Sequence, residues 1–353
     1  MKRDYSQELS PEIREKSKKT LVYLGIFSIA MMFAGFTSAY IVSMGDSFWL
    51  KAPFPMAFYL STAVIILSSV FLELAIRSAK KNKQSVLRLM MLLVLLSGIG
   101  FVYFQFKGYG EMVEKGANPF NRNILVTDGR YGDYYEVKYK GDFIEIDGND
   151  YLVKGKKMSE SELQSYQKFM SQFLIVKPNK SFVVSTNYGK DFILYFNSQP
   201  LALINGKLLT PDGKEIQNVD QSRLRDLAVH VRDGRGDFFV KGKPGKDFHI
   251  YFKGKELQYS NRQLTMNGRK LDNYLHIKSM EAADTATSYL WLITILHLAH
   301  IVFTLLYMMK LTIASFAGKY NSEDSLSLRL GAIFWHFLGL LWVYLLLFLL
   351  FIH

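Results

Sequence analysis

The stretch DTATSYLWLITILHLAHIVFTLLYMMK, residues 284–310, carries no charge between Asp284 and Lys310. About 20 consecutive apolar residues suffice to cross the hydrocarbon core of a bilayer as a helix. The same pattern occurs four more times. Residues 21–44 lie between Lys19 and Asp46 without a charge, and residues 52–76 hold one carboxylate, Glu73, near their end. Residues 89–106 are bracketed by Arg88 and Lys107, and the last run lies between Arg329 and His353. The expected fold class is a polytopic α-helical membrane protein with five transmembrane helices and its termini on opposite sides.

Basic residues orient these spans, because loops rich in Lys and Arg stay cytoplasmic. The N-terminal tail offers Lys2, Arg3, Arg14, Lys16, Lys18 and Lys19. The loop after the second span reads Arg77-Ser-Ala-Lys80-Lys81-Asn-Lys83, and the loop before the last span has Lys310, Lys319 and Arg329. The loop after the first span has only Lys51. A cytoplasmic N-terminus puts all three basic segments on one side and the long stretch 107–283 on the other. The first span is too long for a signal-peptide core and reads as an uncleaved anchor. The expected organisation is a tail at 1–20, three spans in 21–106, an extracytoplasmic insertion at 107–283, and two spans in 284–353.

Composition narrows the chemistry. The 353 residues contain no cysteine, which excludes disulfide scaffolds, thiolate-held zinc, iron–sulfur or copper, and cysteine nucleophiles. The net charge of +12 reflects juxtamembrane Lys and Arg, so nucleic acid is not an expected partner.

The insertion has short alternating apolar runs between Gly, Asn and Asp, the mark of β-structure, and a net charge of +6. Three segments look alike: Val126 to Asp142-Phe143, Val176 to Asp191-Phe192, and Val231 to Asp247-Phe248. With helical stretches at 159–172 and 217–227 between them, they suggest a strand-rich α+β domain of about three repeats. Asp128-Gly129 and Asp233-Gly234 read as turns. His230, His249 and His276 are widely spaced and read as separate surface histidines.

Ionisable groups inside spans are costly and therefore candidate functional groups. They are Glu73, His297, His300 and His336. His297 and His300, three apart, share a helix face. Such histidines suit a metal or haem, or hydrogen bonds between packed helices. Trp291, Trp335 and Trp342 suit packing or interface anchoring.

Around these residues the chain resembles subunit III of the haem-copper cytochrome c oxidases, in its five-helix bacterial form. Thr294-Ile-Leu-His297-Leu-Ala-His300-Ile301 is similar to the family's T-G-F-H-G-L-H-V. Trp335-His336-Phe337-Leu-Gly339-Leu-Leu-Trp342 is similar to W-H-F-V-D-x-x-W, with Arg329 in the lead-in. Phe33-Ala-Gly35-Phe36 matches F-A-G-F, and Gln105-Phe-Lys-Gly108-Tyr109 is similar to Q-x-x-E-Y. The resemblance covers the helices, about half the chain, and does not account for the insertion. Three family carboxylates are missing: Ile29, Gly108 and Gly339 stand in their places.

The resemblance implies an accessory subunit of an aa3-type, proton-pumping terminal oxidase that passes electrons from cytochrome c to O2. It implies a bundle with no active site of its own, packed on oxidase subunit I beside other oxidase subunits. Haem and copper would sit on partner subunits, with phospholipid bound to the bundle and proton uptake supported on the cytoplasmic side. The implied location is the bacterial inner membrane, with the insertion and C-terminus periplasmic. Lys310, Lys319 and Arg329 are candidate lipid-phosphate contacts. The insertion is a candidate docking surface for an upstream quinol-oxidising complex or a cytochrome c domain. Two other readings stay open: a bis-histidine haem b anchor using His297 or His300 with His336, and a non-enzymatic receptor or transporter.

Overall fold

Helix α1, Pro11–Met44, begins ten residues before the apolar run it contains. Proline fits a first helical position, where its missing N–H is not needed. No Gly or Pro interrupts the basic stretch that follows, and a Lys19–Glu15 pair at 2.7 Å supports it. Residues 11–20 are therefore helical and continuous with the apolar run that follows. The computed structural model describes residues 10–119, 135–175, 182–184, 188–260, 263–282, 284–322 and 324–352. Lys2, Arg3, Val126, Asp128-Gly129 and Val176 lie outside the described residues.

The chain divides into two compact units. The helical unit holds Met1–Ser43, Phe54–Glu114 and Ser288–His353. Its other helices are α2 (Met56–Lys80), α3 (Gln84–Glu114), α7 (Thr285–Phe316) and α8 (Leu326–Phe351). Together with α1, these are five helices long and apolar enough to cross a membrane. Helices α2 and α3 form a hairpin closed at Asn82, whose φ of 55° suits a residue just past a helix end. Lys83 N–H reaches Ser78 O at 2.9 Å and Asn82 N–H reaches Ala79 O at 3.0 Å, so the last carbonyls are satisfied. Helix α3 continues past the expected end at residue 106 because nothing stops it before Gly116, whose φ is 90°. The interior is built from Phe58, Phe101, Trp335, Leu338 and Trp342, each essentially without solvent exposure.

The strand-rich unit holds Met44–Pro53 and Lys115–Thr287, so its boundaries differ from the expected 107–283. The loop after α1 forms strand β1 (Phe48–Lys51). Then come β2 (Tyr135–Tyr139), β3 (Asp142–Asp147), β4 (Asp150–Val153), β5 (Lys156–Lys157) and α4 (Glu160–Met170). The order recurs with β6 (Phe192–Phe196), β7 (Gln199–Pro200), β8 (Ala202–Ile204), β9 (Lys207–Leu209) and α5 (Asn218–Asp233). It recurs again with β10 (His249–Phe252), β11 (Lys255–Ser260), β12 (Gln263–Met266), β13 (Arg269–Lys270) and α6 (Asn273–Glu281).

Turn chemistry drives the strand pattern. Lys140-Gly141, Lys154-Gly155, Asn205-Gly206, Lys253-Gly254 and Asn267-Gly268 all have positive φ at both residues. That conformation matches the twist of a two-residue hairpin, and glycine adopts it without steric cost. The strands form antiparallel sheets in the orders β5-β4-β3-β2-β6-β7, β1-β10-β11-β12-β13 and β8-β9.

The expected alignment of the first copy is out of register. Asp142-Phe143 opens the second strand of its run, whereas Phe192 opens the first strand of the next. The positions that correspond are Tyr135, Phe192 and Phe248, each five residues before a positive-φ pair. A Gly-Asp-Phe coincidence at the Lys140-Gly141 turn produced the slip.

Two hydrophobic cores result. Tyr135, Tyr166, Phe169, Phe192, Leu194 and Leu224 belong to the first. Phe169 stacks on Phe192 with centroids 4.6 Å apart. Phe48 and Leu50 of β1 join Phe238, Phe248, Ile250 and Leu264 in the second. Asn149, at the tip of the β3–β4 hairpin, links the two. Its Nδ2 donates to Val240 O at 2.7 Å and Gly242 O at 2.9 Å, and its Oδ1 accepts from Gly236 N at 2.6 Å. A Cβ on Gly236 would stand 2.3 Å from Gly148 O, so the approach needs glycine there.

Candidate functional site

Of the residues singled out on α7 and α8, His297, His300 and Trp342 come together in the helical unit, with Trp335 two turns from Trp342 on α8. His297 is fully buried, and its Nε2 donates to the Leu338 carbonyl of α8 at 3.0 Å. Aromatic rings surround it: Trp342 at 5.2 Å, Phe101 at 5.9 Å and Phe33 at 6.4 Å between centroids. Its Nδ1 has no hydrogen-bond partner among the described residues. His300, one turn on, is half-buried; its Nδ1 donates to Leu296 O at 2.7 Å and its ring lies 6.0 Å from Phe33.

The two tryptophans of α8 are hydrogen-bonded across to α2. Trp335 Nε1 donates to Ser68 Oγ at 3.1 Å, and Trp342 Nε1 donates to Thr62 Oγ1 at 2.8 Å. Buried Gln105 of α3 donates through Nε2 to Ser61 Oγ at 2.9 Å. An indole N–H left without a partner in such an interior costs free energy, so these bonds fix helix rotation as well as contact.

Other residues stand apart from this cluster. Thr294 bonds within its own helix, to Leu290 O at 2.7 Å. Gly35 has open space where a Cβ would stand, so sterics do not demand glycine there. Phe337 is half-buried and lies 6.3 Å from Phe334. His336 is half-buried, and no group of three His, Cys, Asp or Glu able to hold a metal occurs among the described residues. Lys310 and Lys319 are exposed, while Arg329 pairs with Glu15 at 3.3 Å.

The sequence reading missed the hydroxyl side, Ser61, Thr62 and Ser68. A signal existed, since Ser61, Ile65, Ser68 and Leu72 recur at helical spacing and are all buried. Chemically the cluster is a hydrogen-bonded aromatic latch between helices. Its groups are indoles, hydroxyls, an amide and imidazole.

The strand-rich unit holds a polar cleft of about 570 Å³ lined by Asp147, Asn149, Asp150, Lys243, Asp247 and Tyr259. Two of its carboxylates are committed: Asp150 to Lys157 Nζ at 2.6 Å, and Asp247 to the Lys243 backbone N–H at 2.7 Å. His230 is not the surface histidine expected, because it shares the inward face of α5 with Leu227 and Val231. Burial, aided by the Arg235 charge, pushes its imidazole down to about 3. Burial alone would raise Asp233, but Arg232 at 2.8 Å and Arg235 at 2.6 Å hold its carboxyl below the usual range. His249 pairs through Nδ1 with Glu256 on the neighbouring strand, and His276 is half-buried on α6.

No family model, no curated protein and no solved structure matches this chain.

Proposed function

We propose that this chain is an accessory, cofactor-free subunit of a haem-copper terminal oxidase, similar in role to subunit III, in a bacterial inner membrane. The observation that carries the reading is the meeting of Phe33, His297, His300 and Trp342. These residues come from α1 and from the consecutive helices α7 and α8, and they are among the residues on which the resemblance rests. Gln105, from a fourth helix, is buried in the same unit and tied to α2.

In this reading the bundle packs on oxidase subunit I, holds phospholipid and supports proton uptake from the cytoplasmic side. Electrons pass from cytochrome c to O2 on partner subunits that carry haem and copper. Three membrane histidines are too few for a haem-copper core, and a chain without cysteine cannot supply a thiolate-bridged copper centre. The N-terminus is cytoplasmic, and the strand-rich unit faces the periplasm, where a cytochrome c domain or quinol-oxidising complex would dock. One departure from the family has a packing reason. A Cβ on Gly108 would stand 2.4 Å from the Phe58 ring, so a glutamate cannot occupy that position here.

Purification of the full chain from native membranes in mild detergent tests the reading. The catalytic oxidase subunits and their haem absorbance should co-purify, and the isolated chain should lack stoichiometric haem in a pyridine haemochrome assay. The His300→Gln variant should keep the haem content of the complex and weaken assembly modestly. Helix–helix hydrogen bonds in membranes are worth about 0.6 kcal/mol on average. Isolation without oxidase subunits overturns the proposal, and a stoichiometric haem b in the chain favours the bis-histidine anchor.

A further inference from the structure

Helix α6 turns one face inward and leaves another without a partner. Leu275 packs against the second core and Ser279 is fully buried. Tyr274 and Ile277, three apart and so on one face, are 72% and 55% exposed. The helix is well anchored at its start, where Asp272 Oδ1 accepts from Leu275 N at 2.7 Å.

Chain connectivity gives the position of α6 along the sequence. Glu281 ends α6 and Thr285 begins α7, so the connection spans at most about 14 Å. On its inward side Lys278 Nζ donates to the Asp46 carbonyl at 3.2 Å, and Asp46 follows the last residue of α1 by two positions. By chain connectivity alone, α6 is a few residues from α7, and its Lys278 contact is a few residues from α1, both helices apolar enough to cross a membrane. Two basic residues shortly precede the apolar pair in sequence: Arg269 and Lys270, both exposed on β13.

We propose that α6 is an interfacial helix. Tyr274 and Ile277 seat in the boundary between headgroups and acyl chains of the outer leaflet, with Arg269 and Lys270 over lipid phosphates. This rests on the reading that α1 and α7 cross a bilayer. Tyrosine suits that depth because its ring is apolar and its hydroxyl polar. Basic residues beside an apolar face are the pattern of surface-lying helices. Two apolar side chains are far short of the roughly 800 Å² per partner of a stable protein interface, which favours lipid over a protein occupant.

The absence of cysteine makes a direct test available. Single variants Tyr274→Cys and Ile277→Cys, labelled with an environment-sensitive fluorophore, are reconstituted as the full chain in phosphatidylethanolamine and phosphatidylglycerol vesicles. Phe303→Cys on α7 and Ile204→Cys in the strand-rich unit serve as controls, both at exposed positions. Labels at 274 and 277 should be quenched several-fold more by shallow spin-labelled lipid than the label at 204, and several-fold less by aqueous iodide. The label at 303 should respond to deep spin-labelled lipid.

Lipid quenching at 303 with iodide access at 274 and 277 equal to that at 204 overturns the interfacial helix alone. Protection of 274 and 277 from both quenchers means that protein covers the face, and also overturns it. Failure of lipid quenching at 303 removes the spanning reading and the proposal with it.

Discussion

His230 shows how a single buried base can set the acid limit of the strand-rich unit. Its unfolded counterpart titrates near 6.5, while the folded imidazole stays neutral down to about 3. The folded state therefore binds fewer protons, and stability present above pH 6.5 is lost as the pH falls toward 3. Between pH 7 and 5 the loss should reach roughly 2 kcal/mol, from about 1.4 kcal/mol per pH unit below 6.5. Asp284 acts in the opposite direction. Burial pushes its carboxyl up to about 6, so its stabilising contribution is present below about 4 and lost as the pH rises through 6. Thermal unfolding of the full chain in detergent at pH 7 and 5 should show a weaker acid loss for His230→Gln and a steeper one for Asp284→Asn. Gly108 gives a second test at this scale. Gly108→Ala pushes a methyl into the Phe58 ring and should cost roughly 1–3 kcal/mol of bundle stability. Phe58→Leu in the same chain should recover part of that loss, which a double-mutant cycle on thermal midpoints would read.

At the scale of elements, β1 links the two ends of the chain order. Four residues from the loop after α1 pair with β10 in the register Phe48↔Phe252 and Leu50↔Ile250. The second core therefore contains side chains separated by about two hundred residues of sequence. Leu50→Ala should cost about 2–5 kcal/mol, the usual range for emptying a buried leucine site. Hydrogen exchange should locate the loss in β10 and β11 and leave α8 protection unchanged. Equal loosening of α8 would mean that the two units do not unfold separately. The capping box of α4 contributes less. Ser159 accepts from Glu162 N at 3.4 Å while Glu162 accepts from Ser159 N at 2.9 Å, and the box is exposed. Loss of such a cap costs typically about 1 kcal/mol.

The whole molecule has one architectural consequence for any attempt to remove the strand-rich unit. Excising residues 115–282 alone would leave Phe48 and Leu50, both buried in the intact protein, without their core. That variant should aggregate. Replacing residues 46–52 with a Gly/Ser linker in the same construction should restore a monodisperse chain on size exclusion. With the oxidase reading of function, the double replacement should keep turnover with artificial donors and lose association with the native donor complex on native gels. Unchanged complex size and coupled turnover would reject a docking role for the unit.

The five apolar helices were legible from the chain alone because their signal is local: a helix long and apolar enough to cross a bilayer is apolar over its own length and satisfies its own backbone. The α4 and α5 helices and the strand-rich character of the insertion were legible for a similar reason, since helix periodicity and strand alternation act over a few positions. Asp233-Gly234, expected as a turn, instead ends α5, with Gly234 at a φ of 63° as its C-cap. What tertiary structure alone decided is non-local. Strand β1 is four residues in a short loop, and only pairing with β10 makes it a strand. Burial of His230 depends on the core that α5 covers, and the register of the first copy depends on β2 meeting β6 with Tyr139 opposite Phe192. The partners of Trp335 and Trp342 lie more than 260 positions away, on a helix whose hydroxyls look unremarkable until α8 packs beside them. Local propensity carries no record of such contacts, because their free energy exists only once distant segments share one interior.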